Sequence, residues 1–295
     1  MRVSVCITTF RRPESFTRAV RSVFAQVGLA EMDVELVLVD NSPEGSAINV
    51  IRALMRNAPA LVRAGHERRV GQAFARRAAL KLATGDLIAW LDEDQQASPL
   101  WLTRFLEAQR ELRADIVFGP IAPEGLAGPH AAYFNAQFER DGVQRNARLD
   151  APMGLANSLM VRARALRSDQ AFAMGEAHFF EECAARGLSL GWATGAWVAH
   201  HVDPVRATLR YAARNAFRDG QRACERDARE GKRLSVLRRM AVGSVEAAFF
   251  GISGAMALVF KTGRAVPLMS RAAKGAGQVF WFADARAEEA AAQAA

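Results

Sequence analysis

The chain has little of what defines a disulfide-stabilised or secreted protein. It contains only three cysteines in 295 residues, and these are far apart and form no CxxC pair: Cys6, Cys183 and Cys224. We therefore expect reduced, buried thiols and a reducing, intracellular compartment. The first residues lead straight into the strand-like VSVCI, which is too short for the apolar region of a signal peptide, so no such leader is expected.

Two further absences narrow the function. No Gly-x-Gly-x-x-Gly pattern follows the first apolar run, so the dinucleotide-binding fingerprint is missing. The basic segment after residue 200 has no interleaved stacking aromatics, so nucleic acid is not an expected partner. The net charge of +8 then leaves phosphorylated substrates or anionic lipid as partners. With 51% hydrophobic and 24% charged residues, the chain is predicted to be globular, with one large domain and an appendage.

The most informative stretch is an apolar run that ends in three acids. Leu87–Leu91 is predicted to be a strand buried on both faces, and Asp92, Glu93 and Asp94 follow it directly. Parallel sheets bind ligands at the carboxyl ends of their strands. Three adjacent carboxylates repel one another unless a cation lies among them, and such oxygen ligands suit Mg²⁺ or Mn²⁺ together with substrate phosphates. The alternative is a solvated acidic turn at a strand end.

The preceding residues predict a β-α-β unit. Val3–Thr8 is β-branched and apolar, as in a first strand, and Pro13 suits the first turn of an amphipathic helix. Glu35–Val39 is a second buried strand that ends at Asp40, where an acid can accept hydrogen bonds from a ribose or a base. The later pattern continues to alternate. It predicts helices over 43–59, 71–82 and 101–112, strands near 60–63, 115–119 and 188–198, and an irregular segment over 125–150.

These segments together resemble the family 2 glycosyltransferases of the GT-A fold. The resemblance is carried by a first strand ending in TTFRRP, a second ending in VDNS, a helix with GQAFAR, and TGDLIAWLDED, in that order over most of residues 1–205. Each motif is weak alone, but the order and spacing are specific. The resemblance implies an α/β, Rossmann-like, mostly parallel sheet flanked by helices as a catalytic domain over 1–204. It also implies inverting transfer of a sugar from a nucleotide-sugar donor to a hydroxyl of a glycan or lipid-linked acceptor, in cell-surface polysaccharide or glycolipid synthesis.

The resemblance assigns roles residue by residue. In the family's DxD position, Asp92 would contact the sugar nucleotide and Asp94 would ligate Mg²⁺ or Mn²⁺, with Asp92 as a further metal ligand. Arginine stands at 69 and 77 where the family usually has asparagine. The other positions matched to the donor nucleotide are Thr8, Thr9, Asp40, Arg76 and Glu93.

The same resemblance places the catalytic base near residue 176. The family carries an acidic pair before Phe-Phe, and alignment on Phe179-Phe180 matches Glu176 to the second acid, the base, while Gly175 replaces the first. An alignment shifted by one residue would place Ala177 at the base position. Alternatively, Glu176 only stabilises the N-terminus of its helix through the macrodipole.

Two further segments carry open alternatives. Met153–Arg162 resembles the family strand beside the donor sugar, or is only an inner strand with a polar start. A family histidine often approaches the metal or diphosphate where His200 and His201 stand. Adjacent residues of a strand point to opposite faces, so at most one of these histidines is expected to serve, and the sequence does not decide which.

The chain after 205 is predicted to be a helical extension, 205–295. Val245–Phe260 is apolar apart from Glu246, short for a spanning helix, and flanked by lysine and arginine. We expect this tail to lie on an anionic membrane surface, with the protein cytoplasmic and peripheral at the inner membrane face. The alternative is a helix buried against the catalytic domain or a partner subunit.

Two other functions remain open at the level of sequence. A nucleotidyltransferase also uses a carboxylate, metal and phosphate site, but TTFRRP lacks the glycines of a phosphate loop. A non-catalytic, membrane-associated module that binds nucleotide sugars is favoured by the missing acid at Gly175.

Overall fold

The computed structural model describes residues 1–128, 130–166, 172, 175–260 and 263–282. It divides the chain into two compact units. The first contains Met1–Glu124 and Phe138–His201, and the second contains Gly125–Gln137 and the chain from Val202 onward. The predicted division after residue 204 stays a prediction, and residues 283–295 of the predicted extension lie outside the described residues.

The first unit is built on two β-sheets. In the described residues the main sheet has eight strands in the order β3-β2-β1-β4-β9-β6-β10-β8, and β5-β11-β7 form a smaller sheet. The β3-β2-β1-β4 block is parallel throughout, and β9 runs antiparallel to both β4 and β6. The strands are β1 Val3–Thr9, β2 Val34–Asp40, β3 Leu61–His66, β4 Leu87–Trp90, β5 Gln95–Ala97, β6 Ile116–Phe118, β7 Ile121–Glu124, β8 Ala147–Leu149, β9 Ser158–Val161, β10 Leu190–Trp192 and β11 Val198–His201.

The helices of this unit follow the apolar periodicity of the sequence. Pro13 opens the first helix as predicted, and Phe16, Ala19, Val20 and Val23 are its buried face. The helices are α1 Pro13–Phe24, α2 Ile48–Arg56, α3 Gln72–Leu82, α4 Trp101–Leu112, α6 Arg162–Ala165 and α7 Glu176–Ala185. The prediction of an α/β fold with a mostly parallel central sheet flanked by helices is confirmed.

Two segments differ from the sequence expectation. The segment 125–150, predicted to be irregular, contains α5 (Ala131–Phe138) and β8. The α5 sequence AAYFNAQF lacks a clear apolar face, so its periodicity gave no helical signal. The single closing strand predicted over 188–198 is two strands in different sheets, because a turn at 193–197 separates β10 from β11.

A buried carboxylate joins the strands beneath the site. Glu35 on β2 is fully buried and accepts hydrogen bonds from Ser4 Oγ at 2.6 Å, Thr84 N at 2.6 Å and Arg63 Nε at 2.8 Å. Burial alone would raise the pKa of Glu35, but these hydrogen bonds outweigh it and lower the pKa to about 2. Glu35 therefore ties β1, β2, β3 and the turn before β4 together as an ionised group.

The second unit contains three long helices: α8 Leu209–Arg229, α9 Arg233–Val259 and α10 Ala265–Val279. Glycines allow their backbones to approach closely. A Cβ atom at Gly220 or Gly277 would collide with a backbone carbonyl oxygen, of Lys274 and Phe217 respectively. Between α9 and α10, Gly243 and Gly275 face each other in the same way. Small residues at these crossings therefore set the helix spacing.

Helix α9 is longer than the sequence indicated. The apolar stretch was predicted to be too short to span a membrane, but the helix starts at Arg233 and runs for 27 residues. By length and composition it is the one helix among the described residues that could cross a membrane. From 241 to 260 its exposed residues are all apolar except Ser244. Its one charged residue there, Glu246, lies 3.5 Å from the Arg271 guanidinium.

Candidate active site

The three acids lie where the sequence places them, at the carboxyl end of β4. This strand is buried on both faces and pairs in parallel with β1, so Asp92, Glu93 and Asp94 lie beside the end of β1. The smaller sheet lies on the same side, because the His201 amide donates to the Asp94 carbonyl oxygen at 2.9 Å. The convergence of strand ends thus brings together residues that are about 100 positions apart in the chain.

The segment after β1 contacts the acids through one arginine and one amide. Arg12 Nη1 lies 3.1 Å from Asp94 Oδ2 and 3.7 Å from Glu93 Oε1. The Phe10 amide donates to Glu93 Oε2 at 2.8 Å. Burial raises the pKa of Glu93, and Thr9, Phe10 and Arg12 oppose that rise. In this structure TTFRRP therefore orients Glu93 and partly offsets the negative charge of Glu93 and Asp94.

A second arginine connects the acids to Glu176. Arg76 on α3 is 5% exposed, and its Nη1 donates to Glu176 Oε2 at 2.6 Å. Its Nη2 lies 3.7 Å from Asp92 Oδ1. The other oxygen of Glu176, Oε1, accepts the Leu155 amide at 3.1 Å. The structure therefore joins the candidate base and the acids that follow β4 in one cluster.

Two glycines next to Glu176 permit this arrangement: Gly175 precedes it in the chain, and Gly154 lies beside its carboxylate. Gly154 has φ +96° and Gly175 has φ +105°, both in the region that favours glycine. A Cβ at Gly154 would lie 3.2 Å from Glu176 Oε1, closer than ordinary contact. Glu176 opens α7, so the macrodipole also stabilises its negative charge, as the alternative interpretation proposed.

The carboxylates of the cluster repel one another. Burial raises the pKa of Asp92, and Asp94 and Glu176 raise it further, whereas Arg76 and His200 lower it. Asp92 nevertheless keeps about a third of its side chain exposed, while Asp94 is 11% exposed. An added cation at this position would relieve the repulsion and favour ionised acids.

The two histidines separate as expected for neighbours on a strand. His200 Nε2 lies 3.6 Å from Asp94 Oδ2 and is buried without a hydrogen-bond partner among the described residues. Its ring packs edge-on against Phe138. His201 turns the other way, with Nδ1 3.8 Å from Glu124 Oε2. The structure thus places His200, and not His201, beside the acidic cluster.

These residues fit a divalent cation by their chemistry. Within the described residues no three His, Cys, Asp or Glu side chains form a ready-made cage. Mg²⁺ and Mn²⁺ do not need one, since one or two carboxylates and substrate phosphates commonly hold them. The carboxylates of Asp92 and Asp94 and the unpartnered Nε2 of His200 are suitable donors.

The residues matched to the nucleoside lie at the ends of β1 and β2. Thr9 on β1 and Asp40 on β2 are partners in the parallel register, and Thr8 precedes Thr9 on β1. Asp40 is fully buried, and its oxygens accept from Ser42 N and Oγ and from Ala47 N at 2.6–2.8 Å. In this structure Asp40 shapes the loop that follows β2, and its contact with a nucleoside stays a prediction.

Sequence reasoning missed Arg140. The residue is 9% exposed, its guanidinium lies over the Phe118 ring, and within the described residues its hydrogen bonds go to backbone carbonyl oxygens. Those oxygens belong to Gly119, Met153, Gly154, Ala156 and Asn157. Burial lowers the pKa of Arg140 to about 10, while Asp92 and Glu176 oppose this effect. Arg140 therefore fixes the segment that supplies the Leu155 amide. In the sequence it is an arginine within a segment predicted to be irregular, so no motif pointed to it.

Asn157 also has a structural role here. It is fully buried, has φ +49°, and accepts the Trp101 indole N–H at 2.7 Å. Its amide donates to the carbonyl oxygens of Pro120 and Ala196. Within the segment Met153–Arg162, β9 (Ser158–Val161) is therefore an inner strand, and the polar residue before it is held by internal hydrogen bonds. The contact of this segment with a donor sugar stays a prediction.

Comparison with known proteins extends these observations. Residues 4–166 match the family model described as Glycosyl transferase family 2. The succinoglycan biosynthesis protein ExoM of Rhizobium meliloti is 29% identical over 232 residues, which cover 75% of this chain and 74% of that protein. The glucosyl-dolichyl phosphate glucuronosyltransferase of Haloferax volcanii is 30% identical over 130 residues, covering 43% and 40% of the two chains.

Solved structures show the same fold. The crystal structure of S. aureus TarS 1-349 matches with a TM-score of 0.51 at 14% identity, over 73% of this chain and 64% of TarS. TarS 1-349 in complex with UDP-GlcNAc also gives 0.51, at 15% identity over 69% and 59%. The chain thus spans less than two thirds of these TarS chains, and the likeness bears on the fold alone.

Proposed function

The chain belongs to glycosyltransferase family 2 and is a glycosyltransferase, and on that premise we propose that it transfers a sugar from a nucleotide-sugar donor to an acceptor hydroxyl with inversion. The observation that supports this most is the single cluster formed by Asp92, Asp94, Arg76 and Glu176. On one side it offers acids that could hold a cation, which in turn could bind the diphosphate. On the other side it offers a partly exposed carboxylate. The nucleotidyltransferase and non-catalytic alternatives are set aside by the family membership.

In this proposal Glu176 is the general base. Its side chain is 37% exposed and two fixed N–H donors hold it, so lone pairs remain for an acceptor hydroxyl. The hydroxyl oxygen attacks the anomeric carbon and forms the new C–O bond, while its proton passes to the carboxylate. The bond to the diphosphate oxygen breaks on the opposite face, and its electron pair leaves with the nucleoside diphosphate. A single displacement of this kind inverts the anomeric centre.

Asp92, Asp94 and His200 are the residues that would hold Mg²⁺ or Mn²⁺. Such an ion, when bound, supplies positive charge to the leaving diphosphate. The protein itself contributes Arg12, 3.1 Å from Asp94 Oδ2, as a further cation near that position. Thr8, Thr9, Asp40 and Glu93 are proposed to lie along the nucleotide.

The names of the relatives support a substrate class. ExoM is a succinoglycan biosynthesis protein, so we propose polysaccharide synthesis for this chain. The Haloferax volcanii relative is named for a lipid-linked glucosyl acceptor, which supports a glycan or lipid-linked acceptor here. TarS was crystallised with UDP-GlcNAc, which supports a nucleotide-sugar donor.

We also propose that α9 rests on an anionic membrane surface, at the inner face. Its exposed apolar face extends from 241 to 260, and Lys232, Arg233 and Arg238 are exposed before that face. Flotation with phosphatidylcholine vesicles, with and without phosphatidylglycerol, tests this. Wild type should float with the anionic vesicles and Phe249→Glu should not, whereas the control Val143→Glu, exposed in the first unit, should behave as wild type. Equal flotation of Phe249→Glu would refute the role of this face.

The proposed catalytic mechanism is tested with a panel of nucleotides, with the transfer product and with one variant. We would measure the melting temperature with UDP, GDP, dTDP and CMP, each with and without Mn²⁺, because a bound ligand stabilises the native state. The nucleotide that raises it names the donor class, and NMR of the transfer product then gives the anomeric configuration. Glu176→Gln should keep the nucleotide-induced shift and lose turnover. Unchanged turnover, or a product of retained configuration, would refute the mechanism.

A further inference from the structure

The resemblance to the family placed Arg76 beside the nucleotide, but its contacts are with protein carboxylates. The residue is 5% exposed, and its guanidinium lies between Glu176 at 2.6 Å and Asp92 at 3.7 Å. It comes from α3, whereas its two partners follow β4 and open α7. One buried cation thus spans the two acidic elements of the active site.

Glu176 depends on this contact for its orientation. Within the described residues each of its two oxygens has one fixed donor, the Leu155 amide for Oε1 and Arg76 for Oε2. A glutamate has three side-chain torsions, and Gly154 and Gly175 offer it no side chains to pack against. Without Arg76, one hydrogen bond would be left to hold a carboxylate whose side chain is more than one-third exposed.

We propose that Arg76 is a positioning residue that acts through Glu176, and that it does not bind the donor nucleotide. This inference rests on the proposed function, in which Glu176 is the base. Arg76 keeps the Glu176 carboxylate directed at the acceptor hydroxyl and holds it at a fixed separation from Asp92. Lysine cannot replace it fully, because an ammonium is a point charge and lacks the planar fork that contacts two carboxylates at once.

A double-mutant cycle tests the route by which Arg76 acts. Arg76→Met should lower kcat by about 10- to 100-fold, the loss typical of a misplaced catalytic group, and change the donor KM by less than about threefold. Glu176→Gln lowers kcat by itself. In the Glu176→Gln background, adding Arg76→Met should change kcat by less than about threefold, because no base is left to orient.

The outcomes separate this inference from the proposed function. If the two losses in kcat multiply, or if Arg76→Met raises the donor KM strongly, Arg76 acts on the donor and the inference is wrong while the base stands. If Glu176→Gln alone leaves kcat unchanged, the base assignment fails, and with it the reason for positioning. Lys81→Met, on the exposed side of the same helix, is the control and should match wild type.

Arg76→Lys guards against loss of folding in the methionine variant. Circular dichroism and the melting temperature establish folding for each protein. Arg76→Lys should give a kcat between those of wild type and Arg76→Met, and the shift in melting temperature with UDP, GDP, dTDP or CMP and Mn²⁺ should persist in both. Loss of that shift in a folded Arg76→Lys would overturn the inference, because it would mean that Arg76 holds the nucleotide.

Discussion

Glu35 allows a quantitative test of what holds the first unit together. It is fully buried, and hydrogen bonds from Ser4, Thr84 and Arg63 outweigh its burial and lower its pKa to about 2. Compared with an unfolded glutamate pKa of about 4.3, the shift is about 2 pKa units. At 1.36 kcal/mol per unit, ionised Glu35 contributes about 3 kcal/mol to the free energy of unfolding at neutral pH.

The sign of the pH dependence follows from the lowered pKa. The unfolded chain binds the proton more readily than the folded protein, so the contribution is complete above about pH 5 and disappears as the pH falls towards 2. Glu35→Gln keeps the size of the side chain but cannot ionise. We expect this variant to be about 3 kcal/mol less stable than wild type at pH 7, and the difference to shrink steadily below pH 4.5.

Urea unfolding followed by tryptophan fluorescence at pH 7, 5 and 3 measures this difference. The signal reports mainly on the first unit, which contains Trp90, Trp101, Trp192 and Trp197. Glu31→Gln, an exposed glutamate in the same unit, is the matched control and should leave stability unchanged within about 0.5 kcal/mol. A difference for Glu35→Gln that is the same at pH 3 and pH 7 would refute the ionised network.

The remaining predictions concern the active site. Asp94→Ala should abolish sugar transfer and its dependence on Mn²⁺ with an unchanged circular dichroism spectrum, and full activity would show that Asp94 holds neither metal nor donor. His200→Ala should raise the Mn²⁺ concentration needed for half-maximal transfer by about tenfold, whereas His201→Ala, which faces Glu124, should not; equal effects would contradict the orientation described. Arg140→Met should lower the free energy of unfolding by about 3 kcal/mol in urea titrations, because several buried carbonyl oxygens lose their donor, and a loss below about 1 kcal/mol would mean that water replaces the guanidinium.

The sequence predicted the parts of the site that local pattern and chain order define. The apolar run before Asp92 predicted a buried strand, which the structure has as β4, and the acids therefore lie at the carboxyl edge of the parallel block. Parallel sheets bind ligands at that edge. The alternation of strands and helices along the chain predicted the parallel block, because strands joined by crossover helices run in parallel. The opposite directions of His200 and His201 followed from strand geometry, although choosing between them required the positions of Asp94 and Glu124.

What the sequence did not reveal depends on contacts between distant segments. Arg76 and Glu176 are 100 residues apart, and only the packing of α3 against the sheet shows that their side chains meet. Arg140 binds backbone oxygens, which carry no residue-specific signal. Asp40 was correctly placed at a strand end, but its bonds to Ser42 and Ala47 are set by the path of the following loop.

The way Arg140 binds has a consequence for how this part of the chain can diverge. Because its acceptors in the described part of the chain are main-chain oxygens, a change of side chain at Met153 or Ala156 does not by itself remove an acceptor from this set. The positions that the set does depend on are Arg140 itself and Gly154, whose φ of +96° favours glycine. The path of this segment beside Glu176 is therefore fixed by hydrogen bonds that do not depend on the identity of its own side chains at Met153 and Ala156.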